Sequence, residues 1–152
     1  MDSPQLLLSN QVCFPIYSVS HLISKAYKPY LNEMGITYPQ YLVLLVLWEN
    51  DNLSVNQITE KLLLNTNTIS PLLKRMEKLE LLHRKRSSKD ERSVIVQLTK
   101  KGKQLKTQAK LIPNKLIEVL LTDTIQLEDV IQVKNMLNEW IKVLSNNAQN
   151  MN

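Results

Sequence analysis

The sequence predicts a mainly α-helical protein with one small β-hairpin, and three observations carry that reading. Apolar residues recur at helical spacing through most of the 152 residues. One stretch alone, around residues 81–99, alternates apolar and polar positions as a pair of strands does. Candidate N-caps (Thr37, Ser54, Asn65 or Thr66, and Thr99) stand at the heads of the helical segments.

Taken in order, Gln11–Leu31 carries Ile16, Val19, Leu22, Ile23, Ala26 and Tyr30 at helical spacing. Pro15 suits a first turn, where its missing N–H costs nothing, so this helix is expected to begin near Cys13 or Phe14. Gly35 closes it or the turn that follows. Thr37 caps a second helix, Tyr38–Glu49, with Pro39 in its first turn and apolar residues nearly all round. Asp51 and Asn52 mark a turn, and Ser54 caps a third helix, Val55–Leu62. A fourth begins at Asn65 or Thr66, with Ile69, Leu72, Leu73, Met76 and Leu79 on one face. Leu81–Arg86 and Ser93–Thr99 read as strands joined by a polar turn, Ser87–Arg92. Thr99 caps a long fifth helix, Lys100–Leu121, bent or interrupted at Pro113. The last helix spans about Gln126–Leu144, and the Asn-rich tail Asn146–Asn152 is expected to fray.

Composition narrows the function. The chain is 43% hydrophobic and 22% charged, an ordinary balance for a soluble globular protein, and one compact domain is expected. No apolar run spans a bilayer, and Met1–Asn10 lacks the pattern of a signal peptide. A single cysteine excludes an internal disulfide framework and points to a reducing, cytoplasmic setting. Two glycines, Gly35 and Gly102, exclude glycine-rich phosphate loops. His21 and His83 lie far apart with no ligand-spaced partner, so no metal site and no cofactor is expected. No Ser/His/Asp or paired-carboxylate arrangement suggests an enzyme.

Charge is unevenly spread. Twelve of the nineteen Lys and Arg residues lie between Lys74 and Lys106, where the net charge is +8; the rest of the chain sums to −3. A short helix, a tight turn, a second helix and a basic hairpin together make a winged helix-turn-helix, a reader of double-stranded DNA. The fourth helix would enter the major groove, with Asn67, Thr68 and Ser70 facing base edges and Lys74 and Arg75 facing bases or phosphates. Hydroxyls of Thr66 and Ser54 suit phosphates. In the hairpin, Arg84, Arg86 and Lys89 join the DNA-facing set, and Arg92 fits a narrow minor groove. Asp90 either pairs with Arg92 or Arg86 or simply forms the turn. The first and last helices carry wide apolar stripes, read here as a dimer interface built from residues 1–35 and 112–152 around a reading region at 36–111.

The wing segment Asp90-Glu91-Arg92-Ser93, preceded by Arg84-Lys85-Arg86 and followed by Leu98-Thr99-Lys100-Lys101-Gly102, resembles that of MarR-family regulators. The front half is similar to their one-cysteine, organic-hydroperoxide-sensing branch, the OhrR-like group with MgrA and SarZ among its relatives. The residues that carry this are Gln11-Val12-Cys13-Phe14, Tyr17, Tyr27-Lys28-Pro29, Thr37-Tyr38-Pro39-Gln40-Tyr41-Leu42, Trp48-Glu49 and Ser70–Glu77. The resemblance covers nearly the whole chain. It implies a homodimeric repressor, bound to a pseudo-palindromic operator, whose cysteine is oxidised with release of DNA. It also implies that Tyr27 and Tyr38 hold the thiolate and orient the hydroperoxide.

Residue chemistry bears on the same point. A thiolate at a helix N-terminus is favoured by the dipole and by free amides, although a lone cysteine also serves as an inert small hydrophobe. Tyr17 lies one turn from Cys13 on the same face; Tyr27 returns to that face ~21 Å further along a straight helix. Contact between Tyr27 and Cys13 therefore requires an antiparallel partner helix. Tyrosines packed in a core or interface are the plainer alternative. With no second cysteine, an oxidised Cys13 must meet a low-molecular-weight thiol, form a sulfenamide, join the partner's Cys13 or over-oxidise. A MarR-type regulator switched by a small aromatic ligand, or a DNA-binding protein with no effector, are the competing expectations.

Overall fold

A computed structural model describes residues 3–88 and 92–150. They fall into two compact units, Met1–Ile112 and Pro113–Asn152.

The first unit opens with two short 3-10 turns, Pro4–Leu6 and Leu8–Asn10, and continues into α1, Cys13–Glu33. The helix runs two residues beyond the expected Leu31 and keeps Pro29 inside. Gly35 follows its C-cap Met34, and the φ of +68° there is the left-handed conformation that relieves a helix C-terminus. Next come α2 (Tyr38–Glu49), α3 (Val55–Leu62), α4 (Thr66–Lys78) and α5 (Lys100–Ala109). Their starts follow from local chemistry. Thr37 N–H donates to Gln40 Oε1 at 2.8 Å. Ser54 and Gln57 exchange side-chain and backbone bonds at 3.2 and 2.8 Å, a reciprocal capping box. Asn65 Oδ1 accepts from Thr68 N–H at 2.9 Å, and Thr99 Oγ1 from Gly102 N–H at 3.0 Å.

Three strands form one antiparallel sheet in the order β1-β3-β2, where β1 is Leu53–Ser54, β2 Leu82–Arg86 and β3 Val94–Leu98. β2 and β3 each lie within the expected spans, and their register pairs Leu82 with Leu98 and Arg84 with Val96. The two-residue β1, paired through Leu53 with Val96, is an addition to the expected hairpin. Its pairing is with a strand far along the chain, which no local pattern reveals.

The core of this unit gathers Leu31, Tyr41, Leu44, Leu47, Ile58, Ile69, Leu73, Met76, Leu82 and Val96, all at most 1% exposed. Each such side chain contributes roughly 1.5–3 kcal/mol by leaving water. The α4 stripe expected from spacing is the buried face, save Leu79, which is 38% exposed.

The expected fifth helix is two helices. α5 stops at Ala109 and α6 spans Ile112–Leu120, so the break precedes Pro113 by two residues and Pro113 sits in the first turn of α6. In a continuous helix Pro113 would have no N–H for the Ala109 carbonyl and its ring would crowd that carbonyl, whereas a first turn tolerates it. In the second unit α7 covers Leu127–Asn150, which carries helix through most of the tail expected to fray. Helix propagation onto an existing segment is cheap even for asparagine. Gln126 N–H donates to Asp129 Oδ2 at 2.8 Å at its head.

Candidate DNA-reading surface and thiol site

Asn65 anchors the head of α4 through two bonds, from Thr68 N–H and from Thr68 Oγ1, both at 2.9 Å. Thr66, Asn67 and Thr68 follow on the exposed first turn, and Ser70 is half-buried one turn on. Pro71 within α4 has no N–H to donate to the Asn67 carbonyl. Lys74 and Arg75 continue the exposed face. The structure therefore gathers six of the expected DNA-facing residues on one face of one helix.

The wing residues divide. Arg86 and Arg92 are exposed. Lys89 and Asp90 lie outside the described residues, and with them the question of what Asp90 pairs with. Arg84 is engaged inside the fold: Nη2 and Nε meet Glu77 Oε2 at 2.7 and 3.0 Å, and Arg84 N–H meets Glu77 Oε1 at 2.9 Å. One carboxylate on α4 thus grips both the backbone and the guanidinium of β2. The Arg84 side chain holds the Glu77 carboxyl below its ordinary value.

Other cations of the basic stretch are engaged too. Lys101 Nζ caps Leu79 O at 2.8 Å and Lys106 Nζ caps Trp48 O at 3.0 Å, each a cation at the carbonyl end of a helix. Lys103 pairs with Asp51 at 3.2 Å. Asp51, expected only as a turn former, also accepts from Leu98 N–H at 2.9 Å. Burial pushes its carboxyl up, but the backbone bonds and Lys103 together hold it below the ordinary value.

Cys13 is the first residue of α1 and is exposed, and no side chain caps the helix there. Pro15 has no N–H, so the first-turn amides of α1 without an intrahelical partner are those of Cys13 and Phe14. Tyr17, one turn on, is 73% exposed. Tyr27 and Tyr38 come together with ring centroids 4.9 Å apart. Sequence reasoning missed the third member, Tyr41, which lies 5.5 Å from Tyr27 and 6.4 Å from Tyr38. The signal was present: Tyr38 and Tyr41 are three apart on a helix and so share a face. Burial, reinforced by its two ring neighbours, pushes the Tyr27 hydroxyl up to about 12. Burial also raises Tyr38 and Tyr41. At physiological pH all three are neutral phenols with a proton to donate. A cavity of about 200 Å³ adjoins Tyr38, lined by Ser24, Lys28, Leu31, Asn32, Ile36 and Thr37.

Around Cys13 the α1 surface is apolar and uncovered: Phe14, Ile16, Val19 and Leu22 are 38–59% exposed. In the second unit, Met136, Trp140, Ile141 and Leu144 of α7 are 43–65% exposed. Among the described residues no helix is long and apolar enough to cross a membrane.

Known proteins resemble this chain along nearly its whole length. The organic hydroperoxide resistance transcriptional regulator of Bacillus subtilis is 44% identical over 137 residues, covering 90% of this chain and 91% of that protein. The HTH-type transcriptional regulator MgrA of Staphylococcus aureus is 32% identical, covering 91% and 93%. Reduced AbfR bound to DNA superposes with a TM-score of 0.76 at 35% identity, covering 96% of this chain and 98% of that one. AbfR, from Staphylococcus epidermidis, has also been solved over-oxidised on DNA and in a disulfide form. A family model described as transcriptional regulator SarA/Rot matches residues 25–109, more than half of the chain. The chain belongs to the SarA/Rot family of transcriptional regulators, a MarR-like winged-helix family.

Proposed function

We propose that this chain is a cytoplasmic, homodimeric repressor that releases operator DNA when an organic hydroperoxide oxidises Cys13. The observation that carries the reading is the exposed Cys13 at an uncapped helix start, within an apolar α1 surface, in a chain whose Tyr27 and Tyr38 form a phenol pair. A relative named for organic hydroperoxide resistance and the several oxidation states of AbfR support it. These relatives are regulators, not enzymes.

In this reading two copies pair through α1 and the C-terminal helices, covering the apolar faces. Antiparallel α1 helices bring Cys13 of one copy towards the Tyr27–Tyr38 pair of the other, since the ~21 Å between positions 13 and 27 on one straight helix forbids the contact within a copy. The thiolate attacks the outer peroxide oxygen, the O–O bond breaks, and the leaving alkoxide takes a proton to become an alcohol. Sulfur is oxidised by two electrons to a sulfenic acid. A low-molecular-weight thiol then forms a mixed disulfide with loss of water. An adduct of that size in a packed seam displaces the phenols and changes the spacing of the two reading helices, which no longer match successive grooves.

DNA contact is assigned to Thr66, Asn67, Thr68, Ser70, Lys74 and Arg75 in the major groove and to Arg86, Lys89, Asp90 and Arg92 at the wing. Arg84 braces the wing against α4 through Glu77. The test is a binding titration on DNA from upstream of the protein's own gene, with and without cumene hydroperoxide. Cys13→Ser is expected to bind as tightly as the parent and to ignore the oxidant. A serine variant that lets go of DNA on oxidation as the parent does ends the proposal.

A further inference from the structure

The phenol pair does not stand alone: an unbroken set of contacts leads from it to the root of the wing. Tyr41, 1% exposed, packs against Tyr27 and Tyr38 on one side and meets Trp48 edge-on at 6.2 Å on the other. Trp48 is clamped to α5 at two points. Its Nε1–H donates to Gly102 O at 2.9 Å, and its own carbonyl accepts from Lys106 Nζ at 3.0 Å. Gly102 has no slack: a Cβ there would lie 2.1 Å from Leu81 O. Thr99, the cap of α5, donates through N–H to Leu81 O at 3.1 Å and through Oγ1 to Glu80 O at 2.6 Å. Glu80 and Leu81 form the link between α4 and β2, the recognition helix and the first wing strand.

We propose that Tyr41 and Trp48 are positioning residues that carry the state of the Tyr27–Tyr38 pair to the junction of α4 and the wing. The inference rests on the reading of Cys13 as the sensor. Each joint in the path is a ring contact, a short hydrogen bond or a backbone contact without a gap. A close-packed path of this kind passes on a displacement of an ångström instead of absorbing it. When an adduct on the partner's Cys13 pushes the phenols, Tyr41 moves with them and Trp48 shifts its hold on Gly102. The start of α5 then drags the α4–β2 link. Oxidation so acts on the orientation of each reading head, in addition to the spacing between heads.

Two variants and one optical signal test this. Trp48→Phe keeps a ring beside Tyr41 but removes the N–H donated to Gly102. Tyr41→Leu keeps apolar volume but removes the ring contacts. Both are checked for folding by thermal melting, and Trp48→Phe alone decides the matter should Tyr41→Leu fail to fold. DNA affinity is measured reduced and after cumene hydroperoxide. The expected result is reduced-state affinity within about threefold of the parent, with the oxidation-induced loss at least fivefold smaller. Residues that only stabilise the fold would lower melting temperature and leave the ratio of reduced to oxidised affinity at the parent's value, which overturns the proposal. In Trp140→Phe protein, where Trp48 is the sole tryptophan, emission is expected to shift on oxidation and to lose that response when Tyr41→Leu is added. An unmoved emission in Trp140→Phe protein that does release DNA also overturns it. A parent that keeps its DNA under hydroperoxide refutes the Cys13 reading itself, a distinct result that takes this inference with it.

Discussion

Helix α4 and the first half of α1 are built from similar material and end in opposite conditions. Both carry an apolar stripe at helical spacing. In α4 the stripe is covered: Ile69, Leu72, Leu73 and Met76 are 0–4% exposed. In α1 the residues Phe14, Ile16, Val19 and Leu22 stay 38–59% exposed, and only Leu31 near the far end is buried. The polar groups differ likewise. Around α4, Asn65, Glu77, Leu79 O and Glu80 O all have partners within the chain. The start of α1 has no side-chain cap. The α4 half is finished within one chain, whereas the apolar face of α1 is left uncovered.

The sharpest way to break the finished half is Gly102→Ala. A methyl there meets Leu81 O, a backbone atom, so α5 or the α4–β2 link must move. The expected loss is about 3 kcal/mol or more of unfolding free energy, read by urea denaturation, with DNA binding weakened alongside. Gly35 makes the contrast: a Cβ there meets nothing within 4 Å, and only the φ of +68° penalises it, so Gly35→Ala costs about 1 kcal/mol.

Leu22→Glu attacks the other half. Leu22 is 59% exposed, so the monomer fold is expected to keep its melting profile. A carboxylate in an apolar seam is costly, and sedimentation is expected to show a monomer, with operator affinity down by about a hundredfold or more because paired half-site binding is lost. A variant that stays dimeric and binds normally would show that the uncovered stripe is not the seam.

The sequence reveals the two halves unequally, and for physical reasons. Caps and helix faces are local, so Ser54, Asn65, Thr99 and the α4 stripe were legible. β1 was not, because Leu53 pairs with Val96, more than forty residues on. The basic stretch marks a DNA-facing region but not which cations face outward. Arg84, Lys101, Lys103 and Lys106 have partners within the fold. Those partners, the Glu77 and Asp51 carboxylates and two carbonyls at helix ends, leave no mark in a charge count. Tyr41 was legible as core; its place between two phenols and an indole depends on how α1 and α2 pack.

Arg92→Ala and Arg84→Ala separate an exposed wing cation from one held against α4. Arg92→Ala is expected to weaken DNA binding at least tenfold, about 1.4 kcal/mol, and to flatten the salt slope by about one. Arg84→Ala is expected to lower stability first, because Glu77 loses its guanidinium partner. Equal salt slopes for parent and Arg92→Ala would remove that side chain from the interface.

Glu77→Gln sharpens the same distinction at the smallest scale. Glutamine keeps one acceptor for Arg84 N–H but loses the charge that pairs with the guanidinium. With Glu77 and Arg84 side chains 34% and 26% exposed, solvent screening limits the expected cost to about 1 kcal/mol at neutral pH. The sign with pH follows from the carboxyl lying below its ordinary value when folded. Its contribution is complete above the unfolded carboxylate value, about 4, and is lost as pH falls through the lower folded value. Parent and Glu77→Gln melting curves are therefore expected to differ at pH 7 and to converge under acid. Asp51, also held low by its partners, contributes the same slope to both proteins and so drops out of the difference. A gap that stays constant or widens on acidification would mean that the Glu77–Arg84 pair does not fasten the wing to the recognition helix.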